Sequence, residues 1–225
     1  MEDTFKCPEC GSGVIEPSGD TLVCASCGHS FWTTDEARAR LLSQLIEEST
    51  ELSLASGQGE QAQQAESAFR NIVSICRDYA EDAPDAFRPS LATALNNLGV
   101  LLFEEGRDGE AEPLYREAIE IQRDLVGREP DILLCGLPQK LVNLADLLKR
   151  DGRLSEAEEL YREALDIWLR VAAEKSLRYL PEVARTIATV ATLLIDMGRK
   201  YDAKEFTDMA HELRYAFQEV KEVLQ

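Results

Sequence analysis

The sequence predicts an all-α protein of stacked helical repeats that follows a small cysteine-rich head. The first observation is self-similarity at a spacing of 46 residues: Gly106 recurs as Gly152 and Gly198, and Tyr115 recurs as Tyr161. A fixed period of this kind indicates a solenoid, in which each unit buries its apolar face by stacking on the next. The second observation is a pair of Cys-x-x-Cys motifs near the start of the chain.

Each repeat is predicted to hold two helices joined by a glycine turn. In the best copy, leucines recur at helical spacing before Gly106, and a second apolar face follows it. Small residues, Gly99, Ala111 and Ala118, stand where the two helices would cross closely. Tyr115 is the large side chain between them, so the pattern pairs one large residue with several small ones.

This pattern resembles the tetratricopeptide repeat, in the long-period form seen in kinesin light chains. Two segments carry the resemblance: Pro89-Ser-Leu-Ala-Thr-Ala-Leu-Asn-Asn-Leu-Gly and Glu110-Ala-Glu-Pro-Leu-Tyr-Arg-Glu-Ala-Ile-Glu-Ile. The resemblance implies a right-handed helical solenoid of four helix pairs. Pro89, Pro138 and Pro181 are expected just before first helices. The period exceeds the ~34 residues of the common repeat, which predicts longer helices or a longer loop around residues 127–137.

The repeat domain is predicted over residues 35–225, with repeats at about 37–80, 89–127, 138–174 and 181–224. The first repeat is degenerate, with its turn at residues 57–59. The last repeat has Thr207 where tyrosine is expected, and residues 211–224 are expected to extend its second helix. Terminal repeats are often atypical because one of their faces has no neighbouring repeat.

The head, residues 1–34, is predicted to be a β-rich zinc ribbon. Cys7, Cys10, Cys24 and Cys27 form two copies of Cys-x-x-Cys-Gly, a spacing that brings four sulfurs within reach of one tetrahedral ion. The glycine after each pair supplies a permissive backbone. Short strands are expected at residues 14–15, 22–23 and 31–32, with a turn at 16–20.

Four cysteine ligands leave no open coordination position, so one structural Zn²⁺ is expected. Such a small head cannot bury enough apolar area to fold alone, and the metal would supply the folding free energy. The motifs resemble those of zinc ribbons, a resemblance that covers residues 5–32 only. Iron and a dithiol redox switch are the alternatives. His29 is interpreted as a strand or turn residue rather than a fifth ligand.

The charge and composition narrow the classes of partner. The net charge of −18 would repel phosphate backbones and anionic lipid surfaces, which disfavours nucleic acid. No apolar run reaches the ~18 residues of a membrane span, and the acidic start lacks the features of a signal peptide. Cysteines in metal-type pairs suit a reducing compartment. We therefore expect a cytoplasmic protein.

The resemblance to tetratricopeptide proteins implies that the first helices of successive repeats line a concave groove for a protein or peptide partner. The residues expected to contact that partner are Asn96, Asn97, Phe103, Asn143, Asp146, Lys149 and Arg185. Asn97 and Asn143 stand where an amide in such families pairs with the backbone of a bound peptide, since an amide both donates and accepts. The alternative is that these asparagines bond neighbouring helices.

No catalytic motif is apparent, and an enzyme is not expected. The two histidines, His29 and His211, lie in different modules, and no phosphate loop, nucleophile elbow or HExxH stretch occurs. Cys76 and Cys135 are interpreted as buried thiols. Three functions remain open: a non-catalytic adaptor that binds its partner in the groove, a regulatory protein whose ribbon docks on transcription or nucleic-acid machinery, and a zinc or redox sensor. The adaptor needs the fewest added assumptions.

Overall fold

The computed structural model describes residues 15–18, 21–24, 26–28, 30–31, 35–55, 60–128, 136–174 and 179–223. The chain divides into two compact units, residues 1–94 and 95–225, and the division falls within the third helix. Among the helices described, none is both long enough and apolar enough to cross a membrane.

The described part of the head contains a small antiparallel sheet in the order β1-β2-β3. Its strands are β1 Ile15–Ser18, β2 Thr21–Cys24 and β3 Ser30–Phe31. The strand positions agree with the sequence pattern, but the expected turn at residues 16–20 is shorter, because residues 16–18 pair with β2. Pro17 is tolerated because β1 is an edge strand, where a missing N–H costs no ladder hydrogen bond.

Eight helices form the described part of the body and confirm the four predicted pairs. They are α1 Asp35–Ala55, α2 Glu60–Asp82, α3 Pro84–Glu104, α4 Asp108–Arg128, α5 Leu137–Arg150, α6 Leu154–Glu174, α7 Leu180–Asp196 and α8 Lys200–Val223. Helices α3, α4 and α6 each have 21 residues, which accounts for much of the long period. Helix α8 extends to residue 223 as expected, whereas the predicted turn at 57–59 and the loop at 129–135 lie outside the described residues.

Pro89 does not precede its helix, contrary to the expectation from sequence. Helix α3 begins at Pro84 and continues through Pro89. The additional first turn places Phe87 in a fully buried position, where its ring stacks on Tyr79 with centroids 5.0 Å apart. Burying such a side chain contributes ~1.5–3 kcal/mol, comparable with the ~3 kcal/mol that an interior proline costs. Pro138 and Pro181 do stand in the first turns of their helices.

The turns between paired helices share one backbone conformation. Gly106, Gly152 and Gly198 all have φ between +76° and +80°, a region that costs other residues a steric penalty. In the first of these turns the N–H of Arg107 donates to the carbonyl of Leu102 at 2.8 Å. The N–H of Gly106 donates to the carbonyl of Phe103 at 3.0 Å. These are the two hydrogen bonds of a Schellman motif, which ends a helix at a glycine.

In the α3–α4 and α5–α6 pairs the two helices pack through a tyrosine. Tyr115 of α4 is 1% exposed to solvent, and Tyr161 of α6 is fully buried. The Tyr115 ring lies so close to α3 that a Cβ on Gly99 would stand 2.7 Å from its Cε1 atom. Only a residue without a side chain allows this approach, so Gly99 fixes the separation of the two helices.

An ion pair links each of two second helices to the turn of the following repeat. Arg153 donates to Glu112 at 2.8 Å, and Arg199, 46 residues further on, donates to Glu158 at 2.6 Å. Burial opposes ionisation of Glu112, but hydrogen bonds from Arg116 and Arg153 outweigh it and lower the pKa of that carboxyl. These links were not predicted from the sequence, although the 46-residue recurrence of both partners is a signal that indicates them.

We predict that Gly99→Val lowers the free energy of unfolding by about 1–3 kcal/mol, the range for overpacking a close contact. The new side chain must displace the Tyr115 ring. The matched control is Gly109→Val in α4, where a Cβ meets nothing within 4 Å. Urea unfolding of both variants checks this, and equal stabilities would contradict the close contact.

We predict that Glu112→Gln lowers the free energy of unfolding at pH 7 by less than about 1 kcal/mol. The melting temperature should fall accordingly. Because the folded-state pKa of Glu112 is depressed, its contribution is present above the unfolded value of ~4.3. That contribution is lost as the pH falls through the folded pKa. Thermal unfolding from pH 7 to pH 3 should show the difference from wild type shrinking. Glu120→Gln, on an exposed position of α4, serves as control, and a pH-independent difference would refute the assignment.

Candidate functional site

The residues predicted to contact a partner lie on the first helices of three successive pairs. Asn96, Asn97 and Phe103 are on α3, Asn143, Asp146 and Lys149 are on α5, and Arg185 is on α7. All seven belong to the unit formed by residues 95–225. The first-helix pattern therefore brings the predicted contact residues of α3, α5 and α7 into one compact unit.

Four amide side chains form a continuous hydrogen-bonded row on α3 and α5, and Arg185 of α7 donates to the end of that row. The Nδ2 of Asn96 donates to Asn97 at 3.1 Å, and the Nδ2 of Asn143 donates to the Oδ1 of Asn96 at 2.9 Å. Gln139 donates to the Oδ1 of Asn143 at 2.9 Å and accepts from Arg185 at 3.2 Å. We call the four amide residues, Asn96, Asn97, Gln139 and Asn143, the amide row.

The amide row supports the alternative that the sequence left open, in which asparagines bond neighbouring helices. Asn96 is only 8% exposed, and both ends of its amide are used within the chain. A buried amide with satisfied partners stabilises the stack, and removing one partner would leave the other uncompensated. Asn96 is thus a residue between helices rather than a surface available to a partner.

Asp146 forms a hydrogen bond with the second helix of its own pair. The hydroxyl of Tyr161 donates to a carboxylate oxygen of Asp146. Burial raises the pKa of Tyr161, and the neighbouring carboxylate raises it further. The phenol therefore stays protonated and holds Asp146 in place. The sequence pattern indicated Tyr161 only as a packing residue, and nothing in its spacing predicted the hydrogen bond of its hydroxyl.

The remaining predicted residues, Phe103, Lys149 and Arg185, make cation–π or ion-pair contacts. Arg150 places its guanidinium carbon 3.5 Å from the centroid of the Phe103 ring and donates to the Phe103 carbonyl at 2.8 Å. Lys149 lies 3.9 Å from a carboxylate oxygen of Asp196. Arg185 is about half exposed and also pairs with Glu182. Lys149 and Arg185 thus present positive charge beside the amide row.

The cysteine and histidine of the described helices show no sign of a catalytic site. Cys76 in α2 is completely buried, and burial raises the pKa of its thiol to about 12. A thiol of this kind is protonated at neutral pH and is not a nucleophile, as expected. His211 is exposed on α8, whereas His29 and Cys135 lie outside the described residues.

The second Cys-x-x-Cys-Gly motif begins in strand β2 and ends in a glycine with positive φ. Cys24 is the last residue of β2, and Cys27 is exposed in the turn that follows. Gly28 then adopts φ +69°, the left-handed conformation that the motif predicts. Cys7 and Cys10 lie outside the described residues, and within the described ones no group of three or more metal-ligating side chains occurs. The four-ligand zinc site stays a prediction.

Comparison with known proteins identifies the repeats. A family profile described as tetratricopeptide repeat matches residues 91–131 and 140–175. No curated protein matches the sequence significantly.

Solved structures share the helical-repeat fold at low identity. The Rap conjugation gene regulator of the plasmid pLS20, in complex with the Phr* peptide, is 17% identical with a TM-score of 0.54; the match covers 82% of this chain and 44% of the regulator. The chain thus spans less than half the length of that protein.

Two further structures are similar at lower scores. The TPR-like repeats assigned to a kinesin light chain of Podosopora anserina are 17% identical with a TM-score of 0.43, covering 84% of this chain and all of that one. The de novo designed helical repeat protein DHR64 is 18% identical with a TM-score of 0.45, covering 84% of this chain and all of the design. The profile match and the paired helices agree: residues 91–131 and 140–175 match the pattern of the tetratricopeptide repeat.

Proposed function

We propose that this protein is a non-catalytic adaptor that binds an extended peptide or a protein partner on the first helices of its repeats. The observation that carries the proposal is the amide row, flanked by Lys149 and Arg185 and by the carboxylate of Asp146. Extended peptides present alternating donors, acceptors and charges, and a surface of mixed amides and charges suits them. The tetratricopeptide repeat is typically a binding fold rather than a catalytic one.

The row is also preorganised, which favours binding. Its amides are already fixed by hydrogen bonds across the repeats, so little side-chain entropy is lost when a partner docks. We keep Asn97, Phe103, Asn143, Asp146, Lys149 and Arg185 as the proposed contact residues and assign Asn96 to the support of the row. The Rap regulator of similar fold is solved with the Phr* peptide, and this supports a peptide as the class of partner.

We further propose that the head is a zinc ribbon in which Cys7, Cys10, Cys24 and Cys27 hold one structural Zn²⁺. The backbone at Cys27 and Gly28 supports this assignment. The zinc- or redox-sensing function is kept as an outcome of the zinc experiment below, and the regulatory function and the cytoplasmic location stay predictions.

The partner surface is tested by affinity purification from the native host followed by mass spectrometry. We expect Arg185→Ala to reduce capture of the partner at least tenfold, about 1.4 kcal/mol in binding free energy, because arginine is enriched among residues that dominate interfaces. The matched control is Arg170→Ala, an exposed arginine on the second helix α6. Equal capture by the two variants, confirmed by titration with the purified partner, would refute the surface.

The metal site is tested by measuring the zinc content of the purified chain by mass spectrometry. We expect about one zinc per chain, lost in Cys27→Ser because a tetrahedral site needs all four ligands. The control, Cys76→Ala, removes a thiol that lies within α2 and should keep the zinc. Iron in place of zinc, or a metal content unaffected by Cys27→Ser, would contradict the ribbon. Zinc released by mild oxidant together with altered partner capture would favour a sensor.

A further inference from the structure

The last helix pair lacks the ring that fills its predecessors. Tyr115 and Tyr161 occupy equivalent positions in α4 and α6, and Thr207 stands 46 residues further on in α8. The small residue that faces this position is retained: Gly99 in α3 is followed at the same interval by Ala145 in α5 and Ala191 in α7. The last pair therefore keeps the space for a ring and does not supply one at this position.

A hollow of about 230 Å³ lies at this point between α7 and α8. Its lining includes Ala188, Ala191, Thr192, Ile195, Thr207 and His211. Pockets that enclose drug-sized ligands measure ~300–1,000 Å³, so this space suits a single side chain better than a cofactor. It is also large compared with the ~30 Å³ share of one water molecule.

The chemistry of the hollow matches a phenol. The methyl groups of Ala188 and Ala191 and the half-exposed side chain of Ile195 give an apolar wall. Thr192 takes the position that Asp146 holds in the preceding repeat, where it accepts the hydroxyl of Tyr161. The Thr192 hydroxyl donates to the carbonyl of Ala188 at 2.9 Å, and its oxygen keeps lone pairs that can accept from a phenol.

We propose that this hollow is a socket for a tyrosine side chain of a partner protein, which completes the last repeat as Tyr115 and Tyr161 complete theirs. The aromatic ring would cover the exposed part of Ile195, and its hydroxyl would meet Thr192. The proposal rests on the proposed function only in that the occupant comes from a protein. It assigns a separate site, at the last helix pair, beyond the amide row.

The test uses p-cresol, which is the tyrosine side chain cut at Cβ, and methyl NMR spectra of the full-length chain. We expect saturable shifts of the Ala188, Ala191 and Ile195 methyl signals with a dissociation constant on the order of millimolar, as for a fragment of few atoms. Toluene, which lacks the hydroxyl, should bind more weakly. No saturable shift with p-cresol, or shifts spread over the whole molecule, would overturn the proposal.

Substitution at the socket separates a specific site from general apolar binding. Thr207→Tyr supplies the missing ring, so it should raise the melting temperature by on the order of a few degrees and weaken p-cresol binding at least tenfold. Thr207→Val keeps the volume of threonine and should keep the binding. Ala191→Leu fills the hollow from α7 and gives the same loss should Thr207→Tyr fold poorly. Undiminished binding in both filled variants refutes the socket, and this readout is independent of whether Arg185→Ala affects partner capture.

Discussion

The close approach of a tyrosine ring to a residue with little or no side chain sets the spacing of the helices in the α3–α4 and α5–α6 pairs. At Gly99 even a methyl group would come within 2.7 Å of the Tyr115 ring. Because interiors are packed at the density of crystals, such a contact cannot be enlarged without displacing its neighbours. The same geometry explains why the loss of one ring at Thr207 leaves a hollow between α7 and α8.

The glycine turns couple that spacing to the next repeat. A left-handed glycine ends each first helix in the same way at Gly106, Gly152 and Gly198. The residue that follows is an arginine in each case, and two of these, Arg153 and Arg199, reach back to a glutamate of the preceding pair. Single surface pairs contribute little, but the turn fixes the arginine backbone, so less entropy is lost when each pair forms.

Polar side chains of the first helices have two roles, in stacking the repeats and in the proposed recognition of a partner. Asn96 and Asn143 stabilise the stack by bonding each other, while the charged residues around them remain at the surface. A partner would therefore meet a surface whose polar groups are already ordered. This arrangement explains how residue types suited to recognition can also hold the repeats together.

The sequence by itself determined the helix pairs, the turns at Gly106, Gly152 and Gly198 and the burial of the Tyr115 and Tyr161 rings, because a 46-residue recurrence of glycine, alanine and tyrosine records local geometry that every copy must satisfy. The sequence pattern placed the start of α3 too late, because burial of the Phe87 ring against Tyr79 outweighs the local signal of Pro89. Only the tertiary structure decided which asparagine lies between helices and that the missing ring at Thr207 leaves a hollow. Those properties depend on distances between residues on different helices, which a pattern along the chain does not contain.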